Sequence, residues 1–384
     1  MEIYLDNSAT TKVSQLVKEE VNNVLNNAYG NPSSLHDIGT KSKKKIIQSR
    51  KIISNYLGCK KEELIFTSGG TESNNLAIIG YAMRNKRKGK HIITTKIEHK
   101  SVLNSFKYLE KNGFIVTYLD VDRDGLIDLQ KLKREITDNT ILVSIMHINN
   151  EIGIINQIND IADLIKKENS QVVFHVDGVQ SFGKYKINLK NIDMYSFSGH
   201  KIHCVKGIGG LFKKENIIID NLLKGGQQEN SIRPGTENLI GISALGVATE
   251  DSVNNLEKNY EIVSKIKNRF YNYINEKIDG CIINGQENSK FSPYILSVSI
   301  ENMLAEVLLH SLESKEIYIS TGSACNSKNK KNSHVLTSIG IDNNLVDGTI
   351  RISFSRYTTT KEIDYACLCL KESIEDLRKV IARR

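Results

Sequence analysis

The stretch Leu64-Ile65-Phe66-Thr67-Ser68-Gly69-Gly70-Thr71-Glu72 decides how this chain is read. An apolar, strand-forming run ends in a small polar turn with two adjacent glycines. Beyond the turn, Leu76, Ile79 and Met83 recur at three- and four-residue spacing, which predicts a helix with one apolar face. A short strand feeding a helix is the unit of a parallel sheet, because the helix carries the chain back to begin the next strand. Upstream, Val13, Leu16, Val17, Val21, Val24 and Leu25 predict another amphipathic helix. Downstream, short apolar runs fall at 92–95, 114–119, 141–146, 172–176, 194–197 and 208–212, several of them separated by helical patterns. The fold class is therefore α/β, with a large domain built on a mostly parallel sheet covered by helices on both faces.

After Thr236 the texture changes. A single long helix is expected over about 238–277. It is followed by a strand at 296–300, a helix near 303–312, strands at 318–320 and 350–354, and a last helix from about Lys361. This predicts a smaller α+β domain closing the chain. The expected boundary lies inside the long helix: 13–255 form the large domain, and 256–384 form the small one together with segment 1–12.

The chain has 384 residues, enough for two domains or three, with 39% hydrophobic and 25% charged residues, an ordinary globular balance. Six cysteines at 59, 204, 281, 325, 367 and 369 are too sparse for a disulfide scaffold and contain no CxxC pair, so a reducing compartment is expected and no metal. Cys204 beside His200 and His203 lacks the ligand spacing of a metal site. Cys367 and Cys369 are expected to pack within the last helix. There is no apolar run of about 18 residues and no signal-peptide pattern at the start, so the expected location is the cytoplasm. The net charge of +8 comes without a long basic stripe interleaved with aromatics, so direct nucleic-acid binding is not expected.

Three segments carry chemistry. In Thr67-Ser68-Gly69-Gly70-Thr71-Glu72 the glycines let the backbone approach an anion at a helix start, which suits a phosphate; the competing reading is a glycine-rich turn with a capping threonine. Asp177, in Phe174-His175-Val176-Asp177-Gly178-Val179-Gln180, falls at the end of a buried strand, where open α/β sheets bind ligands, though a strand-end Asp also serves as a helix cap. Lys201 follows the small polar turn Ser198-Gly199-His200, which suits a lysine held in a cleft as well as a solvated one. Taken together, a phosphate cradle, a carboxylate for a pyridinium nitrogen and a lysine for covalent attachment suggest pyridoxal phosphate (PLP).

At this point the sequence resembles the NifS/IscS-type cysteine desulfurases, in the class-V aminotransferase family of PLP enzymes. The segments that carry the likeness are Tyr4-Leu5-Asp6-Asn7-Ser8-Ala9-Thr10-Thr11, Gly30-Asn31-Pro32-Ser33-Ser34-Leu35-His36, Thr67 through Asn75, Glu98-His99-Lys100-Ser101, Asn149-Asn150-Glu151-Ile152-Gly153, His175 through Gln180, Ser198-Gly199-His200-Lys201, Arg233-Pro234-Gly235-Thr236-Glu237-Asn238, and Ser320-Thr321-Gly322-Ser323-Ala324-Cys325. Nine segments in the family's order make the match specific. The resemblance implies the PLP-dependent transferase fold type I. It implies removal of sulfur from L-cysteine, giving L-alanine and a persulfide on Cys325 for transfer to proteins of iron–sulfur cluster assembly or tRNA thiolation. Lys201 would hold PLP covalently, Asp177 would face the pyridine nitrogen, and Gln180 would contact the ring hydroxyl oxygen. His99 would stack on the ring and help move protons. Gly70, Thr71, Ser198 and His200 would hold the phosphate, and Thr236 would reach the phosphate of a neighbouring subunit in a homodimer. Asn150 and Arg351 would bind the substrate carboxylate. The spacing from Cys325 to His334 resembles the family's long-loop group, and Lys328, Lys330 and Lys331 follow the cysteine in a polar stretch expected to be a mobile loop.

Two segments depart from the family's pattern. His203-Cys204-Val205-Lys206-Gly207 stands where Gly-Pro-Lys-Gly is usual after the lysine, and Gly225-Gly226-Gln227 stands where three glycines are usual. Replacing glycine matters where the backbone is left-handed or touches a ligand. Two alternatives stay open on the sequence: a selenocysteine lyase or other PLP lyase on the same scaffold, and a degenerate, non-catalytic relative acting as a binding protein.

Overall fold

The structure, a computed structural model, describes residues 2–285, 290–322 and 333–381. A short strand β1 (Ile3–Tyr4) precedes helices α1 (Gln15–Asn27) and α2 (Asp37–Leu57). There follow β2 (Leu64–Thr67), α3 (Gly70–Asn85), β3 (His91–Thr95), α4 (Lys100–Lys111), β4 (Ile115–Leu119), α5 (Leu129–Glu135), β5 (Thr140–Met146), α6 (Ile158–Glu168), β6 (Val173–Asp177), β7 (Met194–Ser198) and β8 (Gly209–Lys213). Helices α7 (Leu239–Asn254) and α8 (Leu256–Lys277) lead to β9 (Cys281–Ile283), β10 (Ile295–Ile300), α9 (Ala305–Glu313), β11 (Ile317–Tyr318), β12 (Ser320–Thr321), α10 (His334–Ser338), α11 (Asn343–Val346), β13 (Thr349–Ser353) and α12 (Thr360–Ile381).

Seven strands form the large sheet in the order β2-β8-β7-β6-β5-β3-β4. Only β8 runs against its neighbours; the pairs from β7 to β4 are parallel. Side chains alternate across a strand, and here successive residues enter two different clusters. Ile65, Ile92, Leu142, Val173, Met194 and Leu211 join Leu76, Ile78, Val102 and Phe106 of α3 and α4 on one face. Phe66, Ile93, Val143, Phe174, Tyr195 and Phe212 join Val17, Val24, Ile46, Ile53 and Leu245 of α1, α2 and α7 on the other. Both faces are dry, as the near-continuous apolar runs of the sequence require. Register aligns Met146 with Asp177 and Asp177 with Ser196, so the ends of β5, β6 and β7 share one edge of the sheet.

The second sheet, β12-β13-β10-β9, is antiparallel and has its own apolar cluster with α8, α9 and α12; Cys367 and Cys369 are buried in it as packing residues. Segment 3–14 bridges the two sheets. Ile3 and Leu5 belong to the second cluster, whereas Thr11 N donates to His200 O at 2.9 Å and Ser14 N to His203 O at 3.0 Å. Two sequence expectations change. The helix expected over about 238–277 is two helices meeting at Asn255 (φ −116°, ψ 16°), whose Nδ2 donates to Asp251 O at 2.9 Å, the local side-chain competition that interrupts helices. The strand expected at 318–320 is two strands with different partners, β11 on β1 and β12 on β13.

Candidate active site

The turn read as a phosphate cradle lies where β2 hands over to α3. Gly69 adopts φ +151°, ψ −176°, a conformation that L side chains rarely adopt, and α3 begins at Gly70 with its first N–H groups unused by the helix. A β-carbon on Gly70 would sit 2.5 Å from Val179 Cγ2, so the turn has room only for glycine. Ser198 Oγ, from the end of β7, is buried without a hydrogen-bond partner among the described residues, and a β-carbon on Gly69 would come within 3.6 Å of it. An orphaned hydroxyl facing helix N–H groups fits a phosphate. Thr71 is exposed at the start of α3. Glu72 closes the turn from behind: its Oε2 accepts from Ser68 N at 2.7 Å and its Oε1 pairs with Arg233 Nε at 3.0 Å.

Asp177 ends β6, 4% exposed. Its Oδ1 accepts from Val179 N at 3.0 Å and its Oδ2 from Asn74 Nδ2 at 2.8 Å. Lys201 follows β7, and its Nζ donates to the carbonyls of Ser8 and Ala9, 2.6 Å each. Gln180 Nε2 donates to Ser8 O at 3.0 Å, while its Oε1 accepts from Lys184 Nζ at 3.3 Å. Lys184 lies over the Tyr294 ring, and burial pushes its ammonium down to about 7, with the charge of Lys201 adding to the effect. Lys184 and Lys201 line one cavity with Asn7, Thr11, His203 and Arg356. His99 caps α4 at the end of the β3 edge, and its Nδ1 lies 2.7 Å from Ser101 Oγ. A cradle for an anion, an acid for a ring nitrogen, an amide and an amine on one sheet edge fit PLP by the chemistry of the donor set.

His200 is tied to the N-terminal segment instead: its Nδ1 is 3.2 Å from Thr10 Oγ1 and its carbonyl accepts from Thr11. Burial and then the neighbouring Lys201 push it down to about 4, so it is neutral. Thr236 is exposed, and no hydrogen bond ties it to the cradle of its own chain. Asn150 and Arg351 are brought together, but through the backbone: Arg351 Nη1 donates to Asn150 O at 3.0 Å, and Nη2 pairs with Asp6 Oδ1 at 2.8 Å. Arg351 is 5% exposed, and its Nε has no hydrogen-bond partner among the described residues. Cys325, Lys328, Lys330 and Lys331 lie outside the described residues. On either side of them, Ser320 pairs in register with Arg351, Ser333 Oγ donates to Glu151, and His334 Nε2 donates to Glu98 O at 2.9 Å.

Sequence reasoning gave no role to Asp6, Asn74, Glu98, Ser101 or Lys184. The first four lie inside segments quoted for the resemblance, and Lys184 follows Gln180 by four. Glu98 is fully buried, with Oε1 accepting from Thr95 Oγ1 and Met146 N and Oε2 unpartnered; burial pushes its carboxyl up to about 8, so it stays protonated at neutral pH.

The departures at Cys204, Val205 and Gln227 rest on ordinary backbone. Gln227 has φ −96°, and neither Cys204 nor Val205 is among the left-handed residues. Cys204 is buried in the large cluster, and burial pushes its thiol up to about 12, which makes it inert packing. His203 does carry φ +65°; Thr11 Oγ1 accepts from its backbone N–H at 2.7 Å, and its Nδ1 donates to Lys12 O at 2.9 Å. Among the described residues no group of three His, Cys, Asp or Glu side chains is arranged to hold a metal.

The family model "Aminotransferase class-V" matches residues 3–366. A "Cysteine desulfurase IscS" of Methanosarcina thermophila is 43% identical over 98% of this chain and 93% of its own length, and one of Clostridium botulinum is 41% identical over 99% and 96%. Among solved structures, a "NifS-like protein" superposes with a TM-score of 0.92 at 35% identity, covering 98% of this chain and all of the other. The NifS-like protein of Rickettsia africae superposes at 0.88 with 30% identity, again over 98% of this chain and all of the other. By sequence over nearly its whole length and by fold, the chain belongs to the class-V aminotransferase family, on its cysteine desulfurase branch.

Proposed function

We propose that this chain takes sulfur from L-cysteine with PLP and passes it on from Cys325, which lies outside the described residues. The convergence of Lys201, Asp177 and the Ser68–Thr71 turn on one sheet edge supports this reading most directly. When bound, PLP supplies an electron sink for the pair left by the α-proton of cysteine. Gly70, Thr71 and Ser198 would hold its phosphate, Asp177 would keep its ring nitrogen protonated, Gln180 would donate toward its ring oxygen, and His99 would cover its face. Lys201 would anchor it, and its amine is the base available for the α-proton. Arg351 and Asn150 bind the substrate carboxylate. The Cys325 thiolate would attack the substrate sulfur; the carbon–sulfur bond breaks, its electron pair stays on the β-carbon and takes up a proton, the α-carbon regains the proton it lost, and alanine and a Cys325 persulfide result. Sulfur acceptors in iron–sulfur assembly or tRNA thiolation are the inferred partners.

We further propose a homodimer in which Thr236, exposed on its own chain, serves the neighbouring site, and two domains, 13–255 and 256–384 with segment 1–12. The five cysteines described are all free, which suits a reducing compartment such as the cytoplasm. No described helix is long and apolar enough to cross a membrane. The test is incubation of the holoenzyme with cysteine, with alanine read by chromatography and Cys325 by mass spectrometry. Alanine together with one added sulfur on Cys325 supports the reading; alanine with unmodified Cys325 rejects the sulfur route.

A further inference from the structure

We propose that His99 acts as a neutral imidazole donating a hydrogen bond from Nε2–H, locked in that tautomer by the start of α4 together with Ser101 and Asn74. His99 is the N-cap of α4, and its Nδ1 accepts the backbone N–H of Ser101 at 3.1 Å. A backbone N–H can only donate, so Nδ1 must present a lone pair. Ser101 Oγ lies 2.7 Å from the same nitrogen. Asn74 fixes which way that hydroxyl points. Its Nδ2 donates to Ser101 Oγ at 2.9 Å and to Asp177 Oδ2 at 2.8 Å, so both amide hydrogens are engaged. The opposite amide orientation would set the Asn74 oxygen against the Asp177 carboxylate. With a lone pair of Ser101 taken by Asn74, its hydrogen is free to turn to His99. Two donors thus converge on Nδ1, and the ring's one proton resides on Nε2.

Burial and most of the charged groups around the ring act in the same direction. Asp177 reaches it from β6, Lys201 from the segment after β7, His334 from α10 and Lys100 from α4 itself. Burial is the leading cause that lowers the proton affinity of His99; Asp177 opposes it, and Lys201, His334 and Lys100 add to it. A helix N-terminus also disfavours an imidazolium, which leaves a neutral ring as electrophile. In this tautomer Nε2 has no lone pair to take a proton. His99 therefore stabilises negative charge by donation, and proton transfers fall to Lys201. Asn74 and Ser101 are positioning residues, and they tie the ring's tautomer to Asp177.

The chemistry His99 serves rests on the desulfurase reading, whereas its tautomer is measured apart from turnover. The holoenzyme labelled with 15N-histidine is expected to show Nδ1 bare and Nε2 protonated on His99 from about pH 5 to about pH 8, the range over which an ordinary histidine loses its charge. Ser101→Ala is expected to raise the proton affinity of His99, with Ser101→Thr restoring it. His99→Gln, which keeps an N–H near the Nε2 position, is expected to retain roughly tenfold or more kcat over His99→Leu, since removing one donor from an oxyanion site costs about a hundredfold or more. A proton on Nδ1, an imidazolium at neutral pH, or His99→Gln no better than His99→Leu overturns the assignment. If cysteine still yields alanine in that case, the proposed function survives; if no alanine forms while the tautomer is as stated, the function fails and the lock stands.

Discussion

The large sheet and the small sheet supply the site in different ways. On the large sheet each group sits at or just past a strand end, and backbone geometry holds it: Asp177 on β6, Ser198 on β7, and the Gly69–Gly70 turn after β2. On the small sheet Arg351 lies within β13, and an ion pair to Asp6, at the other end of the chain, helps orient it. Groups of the first kind should survive loss of a neighbour. A group of the second kind should depend on its partner.

Lys201→Ala tests the first kind at its centre, and we expect kcat to fall by roughly a thousandfold or more, in line with loss of both the anchor and the base. Asp6→Ala tests the second kind. Losing a charge-assisted bond worth about 1.5–3 kcal/mol should raise KM for cysteine roughly tenfold, with less effect on kcat. If Asp6→Ala leaves KM unchanged, Arg351 is held by β13 alone and the contrast fails. Ser198→Ala should weaken PLP by roughly fivefold, about 1 kcal/mol, measured by equilibrium dialysis of the apoenzyme. Cys204→Gly, which restores the glycine usual in the family, should leave activity unchanged and lower stability by about 1 kcal/mol, because the backbone there needs no glycine and the packed side chain is lost.

The last effect is on the pH dependence of stability and concerns Glu98. Its carboxyl titrates near 4.5 when unfolded and is raised to about 8 in the fold. Between those values the unfolded chain has lost a proton that the native chain keeps, so stability falls as pH rises through the window and then levels off. Glu98→Gln removes that slope. Its melting temperature relative to the parent should therefore rise between about pH 5 and pH 8, and an unchanged difference would place a charged Glu98 in the fold.

The same contrast explains what the sequence could reveal. Strand-end groups are legible because a strand, a turn and a helix leave a local pattern, and that pattern alone points to the cradle, Asp177 and Lys201. Contacts between distant segments leave none. Asp6 stands 345 positions from Arg351, and Asn74 meets Asp177 and Ser101 only once β2, β3 and β6 are assembled. The break at Asn255 was hidden for a related reason. Apolar spacing runs on through 238–277, and one side chain bonding back to Asp251 interrupts it. The departures at Cys204 and Gln227 looked more serious in sequence than in structure, since residue type alone does not tell a left-handed glycine from one in ordinary backbone.

The central claim is that Lys201 is the lysine joined to PLP. Two amines line the cavity, Lys201 and Lys184, and Lys184 is the one whose burial makes it unusually ready to be neutral. Borohydride reduction of the holoenzyme, which fixes the linkage between PLP and its lysine, followed by peptide mapping, separates them. The account predicts the reduced cofactor on Lys201 alone; finding it on Lys184, or on no lysine, would contradict it.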